Sequence, residues 1–425
     1  MKMSIVGRFS LTFLMLLTGV VSLTAQPLNF READSLSQAL WQNKDWNAML
    51  AHYRSGDFKG LSFKNLHYRT GAAAFHTGRY NLAYRQFRKA YQYNKSDTYV
   101  REYLYWSLSH RDETELASYF AKNTPLTGIR YPKPIQGVYV EIGLKLATII
   151  DSIRPLAYGS VMMSHGLSHR ISILHGFCYL QQTYQGLPYR QPEYFISMAY
   201  VAGPDLILRP ALHLAGGSAR VENRKNTGGT PQRQVFELSR VILAASLEAQ
   251  WKSGPFELRP AYLTATSQTD LMEQEYSQGF GPGNPGSLLK ESDSNSGQHL
   301  MQYGLKTFYT MPLHHESFTV EAACYRHEVN SSQNWIYLAG LSWHPKPGAA
   351  LFVQWKQVGL PFFLEENGRY LINTPAIMKQ RYRLGGHIPI GQRFRFHLIA
   401  SMEKMQEKTF NFDYYSLFAG LEISL

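Results

Sequence analysis

The residues best placed to do chemistry lie near the C-terminus. Arg381, Arg383 and His387 share one parity of one stretch, and Arg393, Arg395 and His397 share one parity of the next. Residues two apart on an extended strand point to the same face, so each set forms a column of cations. For both columns to point the same way, the turn between them must hold an odd number of residues. A turn at Pro389, Ile390 and Gly391 meets that condition and sets His387 opposite Arg393 and Arg383 opposite His397. It also sets Gly386 beside Phe394 and Leu384 beside Phe396 on the other face. Adjacent cations repel unless anions intervene. Glu141, Glu403 and Glu422 on neighbouring strands would supply them and knit a filled interior together. A diffusing anionic solute or polysaccharide would supply them equally, and the columns would then line an anion-selective pore.

The elements that must position these columns read as strands. From Tyr414 to Leu425 the residues Tyr415, Leu417, Ala419, Leu421, Ile423 and Leu425 alternate with Tyr414, Ser416, Phe418, Gly420, Glu422 and Ser424. A period of two gives one apolar and one mixed face, and the stretch is long enough to cross a bilayer when tilted. Similar alternation begins at Val138, Val140, Ile142, Leu144 and Leu146, and recurs to the end of the chain. It predicts about 14 antiparallel strands, with 12 and 16 also compatible. Short connections such as Ala202 to Asp205 and Lys252 to Pro255 alternate with longer ones, including Arg220 to Gln232, Asp270 to Gln298 and Gly359 to Pro375. This rhythm is that of a membrane barrel with short turns on one side and long loops on the other, and a soluble β-sandwich does not explain it. Trp251, Trp335, Trp343, Trp355, Tyr303 and Tyr309 suit the aromatic girdles at the two interfaces. Bulky inward residues Tyr139, Phe308, Phe352 and Phe418 would obstruct a medium-sized pore.

Ahead of the strands, Asn29 to Asn123 has helical spacing and a period of 34: Trp46, Tyr80 and Thr114 recur at that interval, as do Tyr53, Phe87 and Ala121. Gly71, Gly78, Tyr80, Ala83, Phe87 and Ala90 supply the small and aromatic residues that two packed helices need, and the next copy keeps Leu104, Tyr105, Leu108 and Ala117. On these residues the segment resembles the tetratricopeptide repeat (TPR) family, with Lys95 in place of the usual late Pro. The resemblance implies a curved stack whose concave face binds a peptide or protein, lined by Asn65, Tyr68 and His76 of one first helix and Tyr99, Glu102 and Trp106 of the next. Those aromatics would otherwise pack the repeats against each other.

The N-terminus sets the compartment. Lys2 and Arg8, an apolar run from Leu11 to Val21 and small residues ending at Ala25 read as a secretory signal peptide over residues 1–25. The expected organisation is then a TPR-like helical domain at 26–123, a Pro-containing linker at 124–135 and a barrel at 136–425, an α + β chain. Taken whole, it resembles outer-membrane β-barrel proteins with an N-terminal TPR-like periplasmic domain. The resemblance implies outer-membrane lipid around the barrel and a periplasmic protein or peptide as partner. The function expected is a subunit of an envelope export, assembly or surface-display complex, with an anion-selective channel as the alternative.

Other chemistry finds little support. The net charge of +12 is spread along the chain without the dense clusters of a nucleic-acid binder. Cys178 is expected to face inward and Cys324 outward, which disfavours a disulfide. Ser164 with His165, and Ser168 with His169, are adjacent pairs whose members face opposite ways on a strand, so no catalytic site is expected. The acidic loop from Asp270 to Gln298 matches no full calcium loop, and His314, His315 and Glu316 are too close in sequence to converge on one ion. No metal or other cofactor is implied.

Overall fold

The computed structural model describes residues 28–122, 124, 134–149, 153–184, 187–227, 230–274, 298–313, 316–329, 332–365, 370–391, 393–406 and 411–425. The expected signal peptide, most of the expected linker, His314 and His315, and residues 275–297 of the acidic loop lie outside them.

Six helices come first: α1 Phe30–Gln42, α2 Trp46–Ser55, α3 Lys64–His76, α4 Tyr80–Tyr93, α5 Thr98–Ser109 and α6 Thr114–Ala121. Phe30, Lys64 and Thr98 open the first helix of each pair and Trp46, Tyr80 and Thr114 the second, each 34 residues after its counterpart. Local chemistry places the ends. Asn29 and Glu32 form a reciprocal capping box at the start of α1, with both hydrogen bonds at 3.0 Å. Asp45 caps α2, which stops at Gly56 with φ +90°. Small residues let α3 approach α4: a Cβ added at Gly71 would sit 3.0 Å from the Phe87 ring.

Two buried polar groups tie the helical unit together. Arg69 bridges α3 to α1 through Asp34 at 2.6 Å and Ser37 at 2.8 Å. The Nδ1–H of His67 donates to Gln86 Oε1 at 2.8 Å, while Ser62 Oγ donates to Nε2 at 2.9 Å, so both nitrogens are satisfied by the neutral ring. Burial, only partly offset by the bond to Gln86 and reinforced by Lys89, lowers the His67 pKa from its ordinary 6.5. Below that value the unfolded chain takes up a proton that the folded state resists, so stability is lost as pH falls from 6.5 towards the lowered folded value. Thermal melts followed by helical circular dichroism on the full chain should show this loss, and His67→Gln should flatten it.

The 14 strands are β1 Gly137–Ala147, β2 Leu156–Gly166, β3 Ile171–Tyr184, β4 Leu187–Gly203, β5 Leu206–Thr227, β6 Thr230–Ser253 and β7 Phe256–Gln274, followed by β8 Gln298–Leu313, β9 Glu316–Val329, β10 Ser332–His344, β11 Ala350–Glu365, β12 Tyr370–Ile390, β13 Phe394–Gln406 and β14 Asn411–Ser424. Each pairs antiparallel with its sequence neighbours, and β1 pairs with β14 to close the barrel. The even count brings both chain ends of the barrel to the short-turn end, where Gly137 lies opposite Ser424. The expected parity holds: Ile142, Leu144, Phe177, Leu212, Leu384 and Leu417 are exposed on the outer surface, and polar residues alternate with them inside. Cys178 and Cys324 are both free.

Two expectations need correction. The residues read as loops at Arg220–Gln232 and Gly359–Pro375 largely continue the ladders, which run on to Thr227 opposite Thr230 and Glu365 opposite Tyr370. Backbone pairing does not depend on side-chain character, so the polar run at Arg220–Gln232 and the Gly- and Pro-containing run at Gly359–Pro375 concealed strands. The β12–β13 turn sits two residues later than expected, from Gly391 at φ +70° to Arg393, and His387 faces His397 while Arg383 faces Ser401. Apolar Ile390 and Phe394 pair at the hairpin's end, which puts Gly386 opposite Leu398 and Leu384 opposite Ala400. The described residues up to Leu104 form one compact unit and Tyr105–Leu425 another. Periodicity shows where a helix runs but not what it packs on, and α6 packs on β4.

The closing seam is interlocked. Phe418 of β14 lies over Gly143 of β1, where an added Cβ would come within 2.2 Å of its ring, and Tyr139 of β1 lies over Gly420 of β14, at 2.6 Å. Each strand thus offers the other one aromatic ring and one site without a side chain. Gly143→Val should displace the ring and cost about 1–3 kcal/mol, as overpacking does. The check is a lower temperature for loss of the compact band on unboiled gels.

Candidate functional site

Two regions carry the residues singled out in the sequence. In the helical unit, Tyr68 packs between Phe87 and Tyr103, both at 5.8 Å, and so holds α3, α4 and α5 together. His76 is exposed and stacks on Trp46 at 4.7 Å, with the Tyr103 hydroxyl 3.5 Å from its Nε2. Asn65 is exposed, Glu102 is half-buried, and Tyr99 is 67% exposed. Trp106, further along α5, is half-buried against Tyr105 at 5.0 Å. The set therefore divides into a packing residue, Tyr68, and an open polar-aromatic surface led by Tyr99, Asn65 and His76. Trp41 and Trp46, which the sequence reading did not include, extend that surface.

In the barrel, five of the six ladder residues face the interior. Arg393 does not: it is exposed in the turn, because the strand begins one residue later at Phe394. Arg395 and His397 share Glu422, each at 3.3 Å, and His387 lies 5.3 Å from His397 between ring centroids. Arg381 is buried directly opposite Glu403. Glu403 also binds Lys145, whose ammonium stands 4.2 Å above the Tyr414 ring. Arg383 is half-buried opposite Ser401. Glu141 accepts from the Tyr139 hydroxyl and is buried.

The opposite wall holds a second network that the sequence reading missed. His213 and Glu193 pair at 3.0 Å and are both almost fully buried. Arg259 binds Glu257, lies 3.9 Å from Glu248 and covers the Phe308 ring at 4.7 Å, and Lys306 binds Glu321. A signal was available, because each of these charges has the inward parity of an apolar strand. Single charges scattered over many strands are harder to see than three in a column.

Towards the long-loop end the interior becomes apolar. Ile153, Ile336, Val358, Met378, Met405 and Phe412 form a buried cluster there. The inward side chains thus form two layers, one ionic and one apolar. An interior of this kind holds its charges by mutual pairing and leaves them little capacity to bind a passing ion.

Ser164 donates weakly to Gly137 O at 3.4 Å, while His165 points to the outer face and lies 3.0 Å from His175 between their Nε2 atoms. The serine and histidine therefore do not form a nucleophile-base pair.

Neither a family model nor a curated protein sequence matches the chain. Solved barrels do resemble it in shape. The Pseudomonas putida toluene transporter TodX is 10% identical, with a TM-score of 0.41 over 68% of this chain and 90% of that one. The CymD monoaromatic hydrocarbon channel is 8% identical, with a TM-score of 0.42 over 69% and 89%. The translocator domain of the autotransporter NalP from Neisseria meningitidis is 9% identical, with a TM-score of 0.38 over 75% and 98%.

The ionic layer makes a quantitative test possible. Glu403→Leu leaves both Lys145 and Arg381 without their carboxylate, and stranding a buried charge costs about 3–5 kcal/mol. Lys145→Met should cost less, because Arg381 still faces Glu403, and adding it to Glu403→Leu should recover part of the loss. Guanidinium unfolding followed by tryptophan fluorescence gives the order of the three variants.

Proposed function

We propose that the chain is an outer-membrane protein whose barrel serves mainly as an anchor, and whose TPR-like helices face the periplasm and bind a peptide or protein there. The observation that carries this reading is the pairing of interior charges. Lys145 with Glu403, His213 with Glu193 and Lys306 with Glu321 pair between strands, and a buried apolar cluster lies towards the long-loop end. The exposed apolar outer surface and its Trp251 and Trp335 suit lipid. The open surface at Asn65, His76 and Tyr99 supports a binding role for the helices, and a barrel that only conducts solutes has no use for it. On this basis the protein is a subunit of an envelope export, assembly or surface-display complex.

Two measurements on the full chain test the proposal. A photo-crosslinking residue at Tyr99 in intact cells should capture one discrete partner, and Asn65→Ala with Glu102→Ala should reduce that product at least several-fold. In planar bilayers the purified protein should be electrically silent. Regular anion-selective steps abolished by Arg383→Glu would overturn the anchor reading in favour of a channel.

A further inference from the structure

The turn between α5 and α6, together with α6 itself, carries Asp112, Glu113 and Glu115 within four residues, and it belongs to the same compact unit as the barrel. Each carboxylate meets a cation from a different part of the barrel's short-turn end. Asp112 binds Arg395 of β13 at 2.6 Å. Glu113 binds Lys252, at the end of β6, at 2.7 Å and its own neighbour Arg111 at 2.6 Å. Glu115 binds Arg209 of β5 at 3.1 Å, and Arg209 is held in turn by Gln250 at 3.0 Å. Beyond them the guanidinium of Arg170, in the β2–β3 turn, lies 5.2 Å from the centre of the Tyr119 ring.

The turn is the one each helix pair uses: Asp112 at φ +59° takes the place of Gly78 at φ +74° and Lys44 at φ +55° in the preceding pairs, and Glu113 N–H donates to Leu108 O at 3.0 Å. Burial by itself would raise the pKa of Glu113 and Glu115. The cations around them outweigh it, Arg111 and Lys252 for Glu113 and Arg209 for Glu115, so both carboxyls are held below their ordinary value. Leu116, Ala117, Phe120 and Ala121 are buried, so the helix also has an apolar anchor.

We propose that Arg111–Tyr119 is an acidic strap latched by ion pairs across the short-turn mouth of the barrel, and that it opens when those pairs are broken. This goes beyond the proposed function and stands independently of any partner at Tyr99. Were α6 held by its apolar residues alone, removing the cations would leave it in place, whereas a latch responds to their loss. The cations come from β5, β6 and β13, so the latch spans much of the mouth.

Hydrogen exchange of the α6 amides in the full-length protein in bilayer nanodiscs tests the latch. In the wild type these amides should be protected, and Arg209→Gln with Lys252→Gln should speed their exchange at least tenfold while strand amides stay unchanged. Raising the salt to about 1 M, where screening acts within roughly 3 Å, should speed it in the wild type. Lys252→Glu alone should speed exchange, and combining it with Glu113→Lys should restore protection. The salt arm keeps the test decisive if the first double variant folds poorly. Unchanged α6 exchange in the double variant, or in the wild type at about 1 M salt, would overturn the proposal.

Discussion

A strand has hydrogen-bonding groups along both edges, and in lipid no water is present to satisfy them. Closure of the 14 strands through β1 and β14 removes the edges altogether, and most other features of the second unit follow from it. Closure imposes the even count, brings Gly137 and Ser424 together, and puts every second residue of every strand inside. The seam then has to be specified, because nothing in the sequence joins the first strand to the last. Phe418 over Gly143 and Tyr139 over Gly420 provide that specification through complementary shape.

Once alternate residues are committed to the interior, charges at that parity must be paired or hydrated. Here they are paired: Lys145 with Glu403, His213 with Glu193, Lys306 with Glu321 and Arg395 with Glu422. Such pairs contribute little net stability, because desolvation offsets most of their attraction. They do fix which strand faces which, and so suit an anchor more than a conduit. The bulky inward residues belong to this charged layer or to the seam: Tyr139 donates to Glu141, Phe308 lies under Arg259, and Phe418 lies over Gly143.

Much of this was legible because β-structure writes itself in a period of two. A count of about 14, the inward parity of Arg381, Arg383, His387, Arg395 and His397, and the 34-residue spacing of the helices all follow from local patterns. What was misread depended on the backbone. The hairpins β5–β6 and β11–β12 run through sequence that looks like loop, and the β12–β13 turn sits two residues later than its Pro and Gly suggest. A proline tolerated at a barrel's short-turn end resembles a turn residue, and only the pairing of Ile390 with Phe394 shows that it is not.

The sequence by itself determined the elements, their order and which face of each strand is apolar, since these depend on residues within a few positions of one another. Tertiary structure alone decided the partners. Lys145 and Glu403 are 258 residues apart, and Asp112 and Arg395 are 283 apart. No local pattern specifies such pairs, because their geometry exists only after the barrel has closed. The same holds for α6, whose periodicity marks it as the last of six helices and whose packing assigns it to the barrel.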